Sequence, residues 1–132
     1  MKHPERAEDY LEHIVQAIQR ATEYIERLDS VSAFRQSQRD QDAVIRNIEI
    51  IGEAARQIQQ HAPEFVTAHP ELPWIEMRGM RNKMIHDYFD VDVNVVWGTV
   101  KNDLPRLKQQ IENLLNKQRG SAPQAPEPDR SR

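Results

Sequence analysis

The chain of 132 residues contains no cysteine and only 4 glycines, and aromatic residues make up only 6% of it. The lack of cysteine excludes disulfide bonds, thiolate catalysis and cysteine-ligated zinc, and it is compatible with a reducing compartment. Only histidines and carboxylates remain as metal ligands, and four of the histidines lack metal-ligand spacing: His3, His13, His61 and His69. We therefore expect neither a metal site nor a cofactor.

Long apolar runs are also missing. The N-terminal residues MKHPERAEDY lack the apolar core of a signal peptide, and no segment approaches the roughly 20 apolar residues that span a membrane. These features favour a cytoplasmic protein. The formal net charge of -3 argues against a protein that coats nucleic acid. An enzyme that binds only one or two phosphates of its substrate needs only a local cluster of cations, such as Arg78, Arg81 and Lys83.

Isoleucine, leucine and valine recur at spacings of three and four residues, which is typical of amphipathic α-helices. The pattern predicts helices over about 4–28 and 41–60, a third from Pro73 to about 88, and a fourth over about 92–116. Asp40 and Asp92 are the expected N-caps of the second and fourth helices. Pro105 is expected to kink the fourth helix rather than to start a new one.

Four helices with short connections predict an all-α fold, an antiparallel bundle that forms a single domain over residues 1–118. The connection after the second helix holds three prolines, with at most one helical turn around 64–68. Residues 119–132 also contain three prolines, and they have no apolar side chain larger than alanine. Such a segment cannot offset the entropy lost on ordering, so a disordered C-terminal tail is expected.

The segment EMRGMRNKMIHDYF, residues 76–89, crowds cations, an amide, a histidine, an acid and a tyrosine together. On a helix, Asn82 and His86 would share one face, so the amide could fix the imidazole tautomer. RNA cleavage without metal needs a base, an acid and a cation beside the phosphate. His86 can serve as acid or base near neutral pH, and Arg81 can hold two phosphate oxygens. Arg78 would support the same phosphate grip.

Spacing alone leaves ordinary structural roles open for these residues. An arginine and a histidine on one helix are more often a surface salt-bridge partner and a partly buried ring. Gly79 is compatible with close helix packing, and Trp74 and Trp97 are assigned to packing.

The residues nevertheless resemble a known family, the HepT-like toxins of the HEPN superfamily, which are helical bundles with an Arg-x4-6-His motif. Arg81, His86 and Tyr88 match its Arg-x4-His-x-Tyr form. The resemblance covers roughly residues 5–116. Its segments occur in the family's order: QDAVIRNIEIIGEAA at 41–55, LPW at 72–74, RGMRNKMIHDYFDVD at 78–92 and VWGTVKNDLPRL at 96–107.

The resemblance implies a homodimeric endoribonuclease toxin of a type VII toxin-antitoxin system that cleaves RNA without metal. It also implies an antitoxin, a MntA-like nucleotidyltransferase that transfers AMP to Tyr88. If the third helix continued to Tyr88, that side chain would lie on nearly the same side as Arg81, near Arg78. One chain supplies one motif histidine for two proton transfers. We therefore expect the motif helices of two copies to face each other across a two-fold axis.

A hypothesis of a different class is a non-catalytic HEPN module that recruits a nucleotidyltransferase or binds a nucleotide. A purely structural role ranks behind both. The complete set of Arg81, Asn82, His86 and Tyr88 favours the enzyme.

Overall fold

Amphipathic helices account for most of the fold. The computed structural model describes residues 6–87 and 90–121, with the backbone alone for residues 85–87, 90 and 119–121. The all-α fold class is confirmed. In chain order the elements are α1 (Ala7–Glu26), α2 (Val31–Arg35), α3 (Gln38–His61), α4 (Pro63–Ala68), α5 (Trp74–Gly79), a 3₁₀ turn (Met80–Lys83), β1 (Ile85–Asp87), β2 (Asp90–Val91), α6 (Val93–Gly98), a π turn (Thr99–Asp103) and α7 (Leu104–Ser121).

The core lies mainly between α1 and α3, the two helices with the most extensive mutual packing, and α7 closes it against α1. Side chains at the predicted three- and four-residue spacings are the buried ones. Fully buried examples are Leu11, Ile14 and Ile18 on α1, Ile48, Ile51 and Ile58 on α3, and Leu104 and Ile111 on α7. Burial of each such side chain contributes about 1.5–3 kcal/mol.

The start of α3 differs from the prediction. Ser37, not Asp40, is the N-cap, and its hydroxyl oxygen accepts a hydrogen bond from the Asp40 backbone N–H at 3.2 Å. The Ser37 hydroxyl also donates to the Asp40 carboxylate at 2.7 Å. Asp40 therefore occupies the third helical position, where an acidic side chain reaches back to the cap. The preceding segment contains a short helix, α2, capped by Ser30.

The predicted third helix is much shorter than expected. It begins at Trp74, with Pro73 as its N-cap, and ends at Gly79. The chain then passes through the 3₁₀ turn into the antiparallel pair β1–β2, in which Ile85 is opposite Val91. Pairing of the backbone across this hairpin outweighs the helical spacing of the sequence, and glycine at position 79 weakens helix continuation.

The C-terminal third forms one helical run, as predicted. Asp92 caps α6 by accepting a hydrogen bond from the Val95 backbone N–H at 3.2 Å. The π turn precedes Pro105, and the Leu104 N–H donates five residues back, to the Thr99 carbonyl. Proline lacks an N–H, so a local change of hydrogen-bond register is a known accommodation.

The last helix continues past the predicted end of the domain. The backbone of α7 extends to Ser121, three residues into the predicted tail, while residues 122–132 lie outside the described residues. The division into a domain and a tail therefore stays a prediction.

Within the described part of the chain, no helix combines the length and the apolar character needed to cross a membrane.

Candidate functional site

Three of the predicted site residues lie together on one groove. Arg78 comes from the last turn of α5, and Arg81 and Asn82 come from the 3₁₀ turn. All three are exposed and line an open groove of about 680 Å³. The other walls are formed by α1 and α3, with Tyr10, His13, Arg46, Ile48, Glu49, Ile50, Gly52, Glu53, Ala54, Arg56 and Gln57.

A glutamate on α3 fixes the position of the Arg81 side chain. Its Nε–H donates to the Glu49 carboxylate at 2.7 Å, in an ion pair whose side chains are 46% and 37% exposed. Such a half-exposed pair adds about 0–1 kcal/mol to stability, so its main effect is on where the guanidinium lies. A contact through Nε fixes the head of the side chain while the two terminal amino groups project beyond it. That geometry is suited to a second anion.

Arg78 is also tied to α3, because its guanidinium donates to the side-chain oxygen of Gln59 at 2.6 Å. This partner is neutral, so it leaves the positive charge of Arg78 uncompensated at that contact. Glu49 and Gln59 thus dock two consecutive cations of the motif segment onto the same helix. The long side chains of α3 position the motif even though the motif itself does not lie on a long helix.

A second arginine–glutamate pair lies one turn further along α3. Arg56 donates to Glu53 through two nitrogens, at 2.7 and 3.1 Å, and Gln57 donates to the same carboxylate at 2.8 Å. These hydrogen bonds, the one from Arg56 first, hold the pKa of Glu53 below its ordinary value. Glu53 is therefore ionised near neutral pH. Through their ion pairs, Glu49 and Glu53 offset two of the four arginines that line the groove.

Gly52 permits the close approach of the motif segment. A Cβ atom at this position would lie 3.3 Å from the Met77 carbonyl oxygen and 3.5 Å from that of Arg78. The second distance is ordinary van der Waals contact, but the first is tight, so a side chain here requires the Met77 carbonyl to move by a few tenths of an ångström. Gly52 lies three residues after Glu49 on α3, so it sets the separation between α3 and α5 next to the Glu49–Arg81 contact.

Two predicted site residues fall where side chains are not described. His86 is the central residue of β1, and only its backbone is described; Tyr88 lies outside the described residues. The prediction that Asn82 and His86 share one helix face is wrong, because the helix ends before them. The same change removes the helical argument that brought Tyr88 to the side of Arg81. Their roles rest on the motif alone.

Four residues that line the groove are not predicted as site residues from the sequence: Tyr10, Arg46, Glu49 and Gly52. Tyr10 is only 5% exposed, and its hydroxyl has no hydrogen-bond partner among the described residues. One signal was available for the α3 residues. The polar positions Arg46, Glu49, Glu53 and Arg56 are spaced by three, four and three residues, which places them on one helix face. The spacing does not reveal what that face contacts.

In the described part of the chain, no three histidine or carboxylate side chains lie close enough together to hold a metal ion. The groove is lined by one histidine, His13, and two carboxylates, Glu49 and Glu53, and both carboxylates are already bound by arginines.

Comparison with known proteins identifies related sequences. The sequence model of the family described as Ribonuclease HepT-like matches residues 14–114. A protein of Thermococcus cleftensis named "Probable ribonuclease HepT" is 47% identical over 106 residues, which is 80% of this chain and 93% of that protein. A protein of Caldanaerobacter subterraneus subsp. tengcongensis, whose name describes it as a candidate RNase, is 37% identical over 113 residues, 83% of this chain and 95% of its own length. No solved structure matches the chain.

Proposed function

Because the chain belongs to the ribonuclease HepT-like family, we propose that it is a metal-independent endoribonuclease toxin that cleaves RNA with Arg81 and His86. The observation that carries the proposal is the position of Arg81. Its guanidinium is half exposed on the groove, which Arg78 and Asn82 also line, and among the described residues one carboxylate, that of Glu49, holds it through Nε. Those features suit an arginine that binds a phosphate.

The proposed reaction is an internal transfer at phosphorus. The ribose 2′-oxygen loses its proton to a base and attacks the adjacent phosphorus, the bond to the 5′-oxygen breaks, and an acid protonates that leaving oxygen. The products are a 2′,3′-cyclic phosphate and a 5′-hydroxyl. Arg81 stabilises the charge that develops on the phosphoryl oxygens, and Arg78 supports it. Glu49 is a positioning residue that acts through Arg81.

His86 is the proposed proton-transfer group, and Asn82 supports the site. Since one chain offers one motif histidine for two proton transfers, we propose a homodimer in which two motif segments face each other. The resemblance to HepT-like toxins supports this arrangement. Light scattering at micromolar concentration tests it, and a species of only 15.5 kDa that still cleaves RNA would refute it.

Substitution tests the catalytic assignment. Arg81→Ala should lower cleavage about 10²–10³-fold and His86→Ala about 10²–10⁴-fold, each with unchanged helicity. Arg39→Ala is the matched control, because Arg39 is an exposed arginine on α3 that does not line the groove. A folded His86→Ala protein with full activity would exclude the nuclease mechanism.

We further propose that a MntA-like nucleotidyltransferase neutralises the toxin, as in type VII systems, and that both proteins act in the cytoplasm. The Tyr88 oxygen would attack the α-phosphorus of ATP and release pyrophosphate. The position of Tyr88 in the motif supports this proposal. An attached AMP would bring an anionic phosphate and a nucleoside to the motif segment, where both would compete with RNA.

One observation favours the alternative, a non-catalytic HEPN module that recruits a nucleotidyltransferase or binds a nucleotide. Arg81 already has a carboxylate partner at 2.7 Å, as a purely structural arginine would. The two functions differ in one assay. A wild-type chain that leaves total RNA intact but forms a complex with the nucleotidyltransferase would establish the binding module.

A further inference from the structure

The groove extends well beyond Arg81, along one face of α3. Its lining residues on that helix run from Arg46 to Gln57, a separation of eleven positions or roughly 16 Å. A single phosphate needs only the neighbourhood of Arg81. The remaining length is therefore available to another part of a ligand.

The charges along this length are not balanced. Glu49 holds Arg81 and Glu53 holds Arg56, so each carboxylate is already neutralised by an arginine. Arg46 and Arg78, both exposed, have no carboxylate partner among the described residues. The groove therefore presents two uncompensated cations, each three positions before one member of the Arg81–Glu49 pair in sequence.

The α1 wall carries a ring that suits a base. His13 is exposed, lines the groove, and lies edge-on to the buried Tyr10 ring with 6.2 Å between centroids. Histidine is among the side chains on which unstacked RNA bases are bound. Tyr10 beneath it is 5% exposed and therefore fixes the position of the wall.

We propose that this groove binds the single-stranded RNA that flanks the scissile phosphate, with Arg46 and Arg78 on backbone phosphates and His13 against a base. Cations that follow a strand, combined with a ring for stacking, are the usual means of binding single strands. The inference rests on the proposed function, because Arg81 marks the point on the groove at which cleavage would occur.

The experiment measures binding without cleavage. Fluorescence anisotropy follows a labelled single-stranded RNA whose 2′-O-methyl groups remove the attacking hydroxyl, over a range of salt concentrations. Arg46→Ala should reduce the slope of log affinity against log salt by about 0.7, the value for one phosphate contact on a single strand. Arg39→Ala, which removes the same charge from α3 outside the groove, should leave the slope unchanged.

His13 provides an independent test of the stacking contact. His13→Ala should weaken binding about 5-fold or more, whereas His13→Phe, which keeps a ring, should retain most of the affinity. Equal effects of Arg46→Ala and Arg39→Ala on the slope would overturn the inference. It would also be overturned if Arg46→Ala or His13→Ala changed the oligomeric state but not RNA affinity, because the groove would then be an interface between copies of the chain.

The outcomes separate this inference from the proposed function. A wild-type chain that binds the blocked RNA through Arg46 but leaves unmodified RNA intact would refute the nuclease and support the groove. A wild-type chain that cleaves RNA while Arg46→Ala and His13→Ala bind like wild type would refute the groove and leave the nuclease standing.

Discussion

Removal of Glu49 is the sharpest test of how the fold prepares Arg81. In Glu49→Ala the guanidinium loses the acceptor that its Nε contacts at 2.7 Å. An arginine side chain carries about 2 kcal/mol of rotamer entropy, and a freed Arg81 must give this up again when it grips the phosphate. At about 1.4 kcal/mol per tenfold change in rate, kcat should fall by up to about 30-fold. That is less than the loss expected for Arg81→Ala.

The affinity for RNA should improve in the same variant. Glu49→Ala also removes a negative charge from the groove, which reduces repulsion of RNA by about 1 kcal/mol and lowers KM up to about 5-fold. Unfolding free energy should fall by less than about 1 kcal/mol, because the pair is 46% and 37% exposed. Lower kcat together with lower KM is not the pattern of a merely destabilised protein.

Glu53→Ala is the matched control. It removes the same charge from the same helix and groove, but it frees Arg56 rather than Arg81. We expect KM to fall and kcat to stay unchanged. Glu49→Gln, which restores a neutral acceptor for Nε, should recover part of the lost kcat. Steady-state kinetics on a fluorogenic RNA would refute the reasoning if Glu49→Ala and Glu53→Ala gave the same kcat.

Three other variants test the docking of α5 on α3, the buried Tyr10 hydroxyl and the proposed acceptor tyrosine. Gly52→Ala places a Cβ atom 3.3 Å from the Met77 carbonyl oxygen, so this part of α5 must move by a few tenths of an ångström. Cleavage should then fall by up to about tenfold, whereas the melting temperature should change by only a few degrees; unchanged kinetics would count against the docking role of α3. Tyr10→Phe removes a buried hydroxyl that has no hydrogen-bond partner among the described residues, so the melting temperature should stay constant or rise. A clear fall in the melting temperature would mean that the hydroxyl has a partner. Tyr88→Phe should cleave RNA but gain no AMP mass when incubated with ATP and the nucleotidyltransferase; equal modification would place the acceptor elsewhere.

The helices could be predicted because their signal is repeated. Leu11, Ile14 and Ile18 each restate the same apolar face, and so do Ile48, Ile51 and Ile58. The end of the third helix could not be predicted in this way. Met77, Met80 and Met84 keep helical spacing and are buried, yet the chain has left the α-helix by Met80. A three-residue strand paired with a two-residue strand is too short to show any periodicity.

The sequence indicates which polar residues come together, but not what they do. Arg78, Arg81 and Asn82 crowd beside Gly79 in the sequence and line one groove, while their roles in catalysis stay predictions. The contact of Arg81 with Glu49 was not foreseen, because the two residues are separated by 32 positions and the contact depends on how the motif segment docks on α3. The sequence displays a polar face on a helix but not the partner of that face.

The most direct measurement of the central claim is the chemistry of the RNA ends. Purified protein is incubated with total RNA in excess EDTA, and both ends at each cut are identified. The proposed mechanism predicts 2′,3′-cyclic phosphate and 5′-hydroxyl ends with the wild-type chain and none with His86→Ala. Ends with a 3′-hydroxyl and a 5′-phosphate, or cleavage that stops when EDTA is added, would contradict it.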